Sequence, residues 1–102
     1  MKRVAPTTED EHLARVLQAL SNPMRLAIVR YIHNHPGCIC NDLVLRFGRA
    51  QATISQHLAL LRSAHVIEAE QDGNAICYFL DHACLDWASK QLLTLHQEKE
   101  QN

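Results

Sequence analysis

A chain of 102 residues, 47% hydrophobic with three Gly and three Pro, is long enough for one core and too apolar to stay disordered. No apolar run reaches the roughly eighteen residues of a membrane span, and Met1-Lys2-Arg3-Val4-Ala5-Pro6 holds no apolar signal core, so the expected compartment is the cytoplasm. There the four cysteines read as thiols or metal ligands before they read as disulfides. The net charge of −1 hides a split: residues 1–65 carry eight Lys/Arg against four Asp/Glu, and residues 66–102 carry two against seven. The basic half can meet phosphates, and so modest a total favours binding as a dimer.

Residues 1–7 read as a loose tail, residues 8–97 as one domain and residues 98–102 as a second tail. Thr8 with Glu11 three residues on predicts a capping box for a first helix with Leu13, Val16, Leu17 and Leu20 on its apolar side. Asn22-Pro23 predicts the cap and first position of a second helix. That helix is expected to bury Leu26, Val29 and Ile32 and to end at His35-Pro36-Gly37. A short third helix over 41–47 leads through Gly48 into the stretch from Arg49 to Arg62, where Ile54, Leu58 and Leu61 recur at helical spacing.

The other side of that fourth helix carries amide and hydroxyl groups with an arginine at each end, side chains suited to base edges and phosphates. Two helices joined by a tight glycine turn make a helix-turn-helix unit, and the fourth is its recognition helix. Ile67-Glu68-Ala69-Glu70 and Ala75-Ile76-Cys77-Tyr78-Phe79-Leu80 around Asp72-Gly73 predict a hairpin, with Cys77 facing opposite to Ile76 and Tyr78. Asp81 caps a last helix with Leu85, Ala88, Leu92 and Leu95 on one face. The expected fold is mainly α with one β-hairpin: a winged helix-turn-helix of five helices and a two-stranded wing.

Leu20-Ser21-Asn22-Pro23-Met24-Arg25-Leu26, the run Thr53-Ile54-Ser55-Gln56-His57-Leu58-Ala59-Leu60-Leu61-Arg62, Asp72-Gly73 and Tyr78 together resemble the ArsR/SmtB family of bacterial transcriptional repressors, over about residues 9–97. The resemblance implies a homodimer joined through the first and last helices. It also implies binding to double-stranded operator DNA, with release on sensing a metal, metalloid or oxidant. Carried over by position, Gln51, Ala52, Thr53, Ser55, Gln56 and His57 would read DNA, Arg49 and Arg62 would hold phosphates, and the Asp72-Gly73-Asn74 tip would form the wing, with Gly73 and Asn74 at the DNA. The chain departs from the family in its acidic wing (Glu68, Glu70, Asp72) and in His65, where most members place glycine. The acidic wing leaves the fourth helix to carry nearly all base reading.

Two clusters offer donors for an effector. His33, His35, Cys38 and Cys40 lie within eight residues and suit a thiophilic ion such as Zn(II), Cd(II) or As(III). The pair Cys38 and Cys40 cannot easily close on itself as a disulfide. It resembles the family's cysteine pair at the start of the third helix, set one residue upstream, with Leu43 and Val44 where arsenic sensors add a third cysteine. The second cluster, His82, Cys84, His96 and Glu98, resembles the zinc ligands that meet across the family's dimer interface, except that Leu95 holds the third ligand position and His96 is one step off. Both clusters also have plain readings as core thiols, helix caps and surface residues.

Two other functions remain open from the sequence: a thiol-redox repressor of the same fold, with Cys38 or Cys40 bridging to Cys84 or to a partner chain, and a winged-helix module for protein contacts. No glycine-rich phosphate loop, paired-carboxylate motif or partnered nucleophile points to an enzyme.

Overall fold

The computed structural model describes residues 2–97. Its elements are α1 (Thr8–Leu20), α2 (Pro23–Asn34), α3 (Cys40–Phe47), α4 (Gln51–Ser63), β1 (Ile67–Asp72), β2 (Ala75–Leu80) and α5 (His82–His96). This is the expected winged helix-turn-helix, with an added helix at each end. The core runs through every helix and the base of the hairpin: Val16, Ile28, Ile32, Leu43, Ile54, Leu61, Val66 and Ile67 are the largest side chains sealed inside.

Helix starts follow local chemistry, with one correction. The cap of α1 is Thr7, not Thr8: its hydroxyl accepts from the Asp10 amide at 3.0 Å, and Asp10 Oδ2 accepts from the Thr7 amide at 2.9 Å. Starting one residue earlier places Glu9, Asp10 and Glu11 in the first turn, where the helix dipole favours negative charge. Asn22 caps α2 as expected, its Oδ1 accepting from Met24 N and Arg25 N. Asp81 caps α5 through a 3.0 Å bond from Cys84 N.

The rotation of α1 and α2 differs from the expected stripes. In α2 the buried pair is Ile28 and Ile32, whereas Leu26 is 43% exposed. In α1 Val16 and Ala19 are buried and Leu17 faces outward. Spacing defines an apolar face only to within a residue or so, because α2 packs against α1, α4 and β2 together and their combined demand sets its angle.

Between α3 and α4, Gly48 is left-handed at φ 64°. A Cβ there would meet nothing within 4 Å, so the turn demands backbone freedom rather than space. At the far end of α4, His65 is also left-handed, at φ 63°. The amide of His65 bonds to Arg62 O and that of Val66 to Leu61 O, each at 3.0 Å, while Leu61 and Val66 pack inside. That is a Schellman ending with histidine where glycine is usual.

The hairpin pairs Ile67 with Leu80 through to Asp72 with Ala75, so Gly73-Asn74 form its two-residue loop and Asp72 ends the strand. Gly73 has φ 61°, as the first central position of a type II′ turn requires. The α2–α3 loop joins this sheet: Tyr78 N bonds to Cys38 O and Gly37 N to Tyr78 O, each at 2.8 Å. This extra bridge was not expected from the sequence, and it fixes where Cys38 and Cys40 lie.

Candidate nucleic-acid interface

Ile54, Leu58 and Leu61 turn one side of α4 into the core. At about 100° per residue the opposite side is then Ala52, Gln56 and Ala59, flanked by Gln51, Ser55 and Arg62 on one edge and Thr53 and His57 on the other. Arg49, Gln51, Ala52, Thr53, Ser55, Gln56 and Arg62 are all exposed, and His57 is half-buried. The start of α4 has no side-chain cap on Ala50 and no acidic residue in its first turn. Its free N–H groups therefore face solvent beside Arg49 and Gln51, an arrangement favourable to phosphate oxygens.

A groove of about 400 Å³ separates α4 from the hairpin; Cys40, Gln51, Ser55, Asn74, Ile76 and Tyr78 are among its walls. Cys40 Sγ lies 3.8 Å from Ser55 Oγ, so the first residue of α3 touches α4. Glu68, Glu70, Asp72, Gly73 and Asn74 are exposed along the hairpin. Its outer surface is acidic and would repel a phosphate backbone.

His57 is held from behind. An Arg25 terminal nitrogen lies 3.4 Å from His57 Nδ1, and burial together with this cation lowers the ring's pKa from 6.5. Sequence reasoning placed Arg25 in a motif but gave it no role. Its contact crosses 32 positions of chain and leaves no local signal.

The first donor cluster opens out in space. The His35 ring stacks on Tyr31 at 4.1 Å, and its Nδ1 lies 3.1 Å from Tyr31 O. The His33 ring stands edge-on to His82, 6.2 Å away, which joins one member of each sequence cluster. Cys38 is buried, and burial, reinforced by the nearby Asp42, pushes its thiol up to about 11. Cys40 stays half-buried in the groove. The four side chains do not converge, and among the described residues no three His, Cys, Asp or Glu side chains form a group able to hold a metal. His33 is in the last turn of α2, His35 caps its end, Cys38 is on the loop bridged to Tyr78, and Cys40 opens α3, so the four donors sit on different parts of the backbone.

The second cluster is also spread. Cys84 is buried with Sγ 3.9 Å from Ala64 O, and burial and Asp81 raise its pKa. His82 is exposed at the start of α5 and His96 at its end. At about 1.5 Å per residue the two lie roughly 20 Å apart, so one chain cannot join them around an ion. Glu98 lies outside the described residues.

A helix-turn-helix domain model matches residues 20–70, half of the chain. An arsenical resistance operon repressor of Staphylococcus xylosus is 32% identical over 82 residues, covering 80% of this chain and 78% of that protein. An ArsR-like transcriptional regulator from Rhodococcus sp. RHA1 superimposes with a TM-score of 0.80 at 24% identity, over 87% of this chain and 83% of that one. A homodimeric winged helix-turn-helix DNA-binding domain from Mycobacterium bovis gives 0.72 at 20% identity, over 100% of this chain and 98% of its own. These two structures establish the fold, and the first relative carries the kinship in sequence. The chain belongs to the ArsR family of helix-turn-helix transcriptional regulators.

Proposed function

We propose that this chain works in the cytoplasm as a homodimeric repressor that reads operator DNA with α4 and lets go when a metal or metalloid ion binds. The observation that carries the reading is the exposed amide and hydroxyl face of α4, with its uncapped start and an arginine beyond each end of the base-reading residues. Gln51 and Gln56 suit adenine, Thr53 offers a methyl group to thymine, and Arg49 and Arg62 suit phosphates. Pairing through α1 and α5 is supported by Leu17, Leu92, Leu93 and Leu95, which stand exposed on those two helices. The homodimeric domain from Mycobacterium bovis, alike in fold, is consistent with that pairing.

The arsenical resistance repressor supports an ion as the effector, and Cys38 and Cys40 supply the thiols nearest α4. Among its described residues one chain gathers no three-donor group, which favours an ion shared with the second chain. Binding would favour a dimer geometry whose two α4 helices no longer match successive major grooves, a population shift requiring only a few kcal/mol. The raised pKa of Cys38 means that uptake through this thiol must expel a proton, so affinity for the ion should rise with pH.

The test is a binding titration of the purified dimer on duplexes, with a salt series. Sequence-specific binding with a steep salt slope is expected, and Gln51→Ala with Gln56→Ala should weaken it by about 1–3 kcal/mol per lost base contact. Unchanged affinity in that variant would favour a protein-contact module, and no specific binding under any metal or redox condition would end the repressor reading. Zn(II) and As(III) titrations of wild type and of Cys38→Ser/Cys40→Ser then identify the sensing thiols.

A further inference from the structure

Arg25 occupies a junction of three helices. Its Nε donates to Ala19 O at 2.7 Å, and one terminal nitrogen reaches Gln18 O at 3.4 Å. Those carbonyls belong to the last turn of α1, which has no basic residue of its own. A cation there gives Ala19 O a donor and opposes the negative end of the helix dipole, while Gln18 O also accepts from Ser21 N and Ser21 Oγ. Two anchors fix the plane of the guanidinium and leave its other terminal nitrogen 3.4 Å from Nδ1 of His57 on α4.

The chemistry of that last contact has one consistent solution. A guanidinium carries only donors and keeps its charge in proteins. The imidazole nitrogen facing it must therefore be the acceptor, since a protonated Nδ1 would set N–H against N–H. In a neutral ring the proton then resides on Nε2. A second proton would place two cations in contact on a half-buried ring. Arg25, from α2, is the charged group acting on His57, and Arg15 of α1 shares the adjoining cavity with Arg25. Nε2 makes no hydrogen bond within the described residues.

We propose that Arg25 is a positioning residue for DNA reading: it locks His57 as the neutral Nε2–H tautomer, a fixed donor to a phosphate oxygen or a base acceptor. The side chain thus serves α4 as a directional hydrogen-bond donor and not as a titrating cation. The same guanidinium ties the end of α1 to α4, so the ring's orientation is set by the packing of both helices. The identity of the acceptor rests on the operator-binding reading above; the tautomer does not.

Two measurements separate these parts. Long-range ¹H–¹⁵N correlation spectra of the free full-length protein should show His57 protonated at Nε2 and neutral at pH 7, with a midpoint below the usual 6.5. Arg25→Met should raise the midpoint and mix the tautomers, whereas Arg25→Lys should keep the low midpoint while loosening the tautomer. If His57 is protonated at Nδ1, or titrates in its ordinary range, the proposal is overturned. The wild-type spectrum decides this even if Arg25→Met fails to fold. The second measurement uses a duplex selected by the wild-type protein from a randomised pool. His57→Leu should lose roughly tenfold in affinity, and His57→Gln, which keeps an N–H donor, should recover most of it. Equal losses in the two variants would remove the DNA contact. Failure to select any duplex would instead sink the operator reading and leave the tautomer of His57 to be decided by its spectrum.

Discussion

His65→Gly should stabilise this protein. His65 sits at φ 63° as the left-handed residue of the α4 terminus, and both Schellman bonds, from His65 N and Val66 N, depend on that conformation. A left-handed backbone costs a residue with a Cβ roughly 1–2 kcal/mol. Glycine escapes that cost but gives back about 0.5–1 kcal/mol through its freer unfolded chain. It also loses the edge contact of His65 with the His12 ring, centroids 6.4 Å apart.

His65→Ala isolates the backbone effect, since it loses the same contact and keeps the strain. Glycine should exceed alanine by about 1 kcal/mol, or roughly 4–8 °C in melting temperature for a domain of this size. Wild type should fall between the two. The assay is thermal unfolding followed by circular dichroism at one fixed protomer concentration, because the melting of a dimer depends on concentration. A glycine variant that melts at or below the alanine variant would refute the reasoning, and with it the left-handed ending of α4.

Asn22→Ala removes the acceptor of two cap bonds at the start of α2 and should cost about 1 kcal/mol, read from urea unfolding midpoints. Leu92→Asp with Leu95→Asp sets charge on the open face of α5, where Leu95 is 74% exposed, and should give a folded monomer by sedimentation; an intact dimer would place the interface elsewhere. Cys38 keeps its proton to about 11 in the folded chain, against 9.0 when exposed. The folded state therefore binds more protons between those values, and stability should fall as pH rises from 9.0 to about 11. Cys38→Ala should flatten part of that fall, while Tyr78, whose pKa is also raised, keeps a share of the same sign. At neutral pH, iodoacetamide should alkylate Cys38 more slowly than Cys40, as mass spectrometry would show; the reverse order would contradict its burial.

The buried and exposed faces of α4 were legible in the sequence because two requirements coincide there. Ile54, Leu58 and Leu61 satisfy helical spacing, and the helix has one broad face to bury, so the wet face is what remains. Caps and turns were legible for a similar reason: Asn22, Gly48 and Asp81 act on atoms within four residues of themselves. Even there, Thr7 displaced Thr8, since neighbouring hydroxyls compete for one cap and only the packed position of α1 decides between them.

The donor clusters show the opposite case. His33, His35, Cys38 and Cys40 are close in sequence, yet a helix end followed by a loop scatters them, and the bridge from Cys38 to Tyr78 completes the separation. Proximity along a chain becomes proximity in space only where backbone geometry preserves it. His33 beside His82, His12 stacked on Trp87 at 4.5 Å, and Arg25 against His57 all arise from the packing of distant helices.

By itself the sequence determined the order of elements, the polar face of α4 and kinship with a family of DNA-binding regulators, because periodicity, caps and turn residues act locally. The tertiary structure alone decided how far α1 and α2 rotate, which thiols are sealed and which donors meet. It also set the side chain that holds His57, because each of these depends on several elements packing at once.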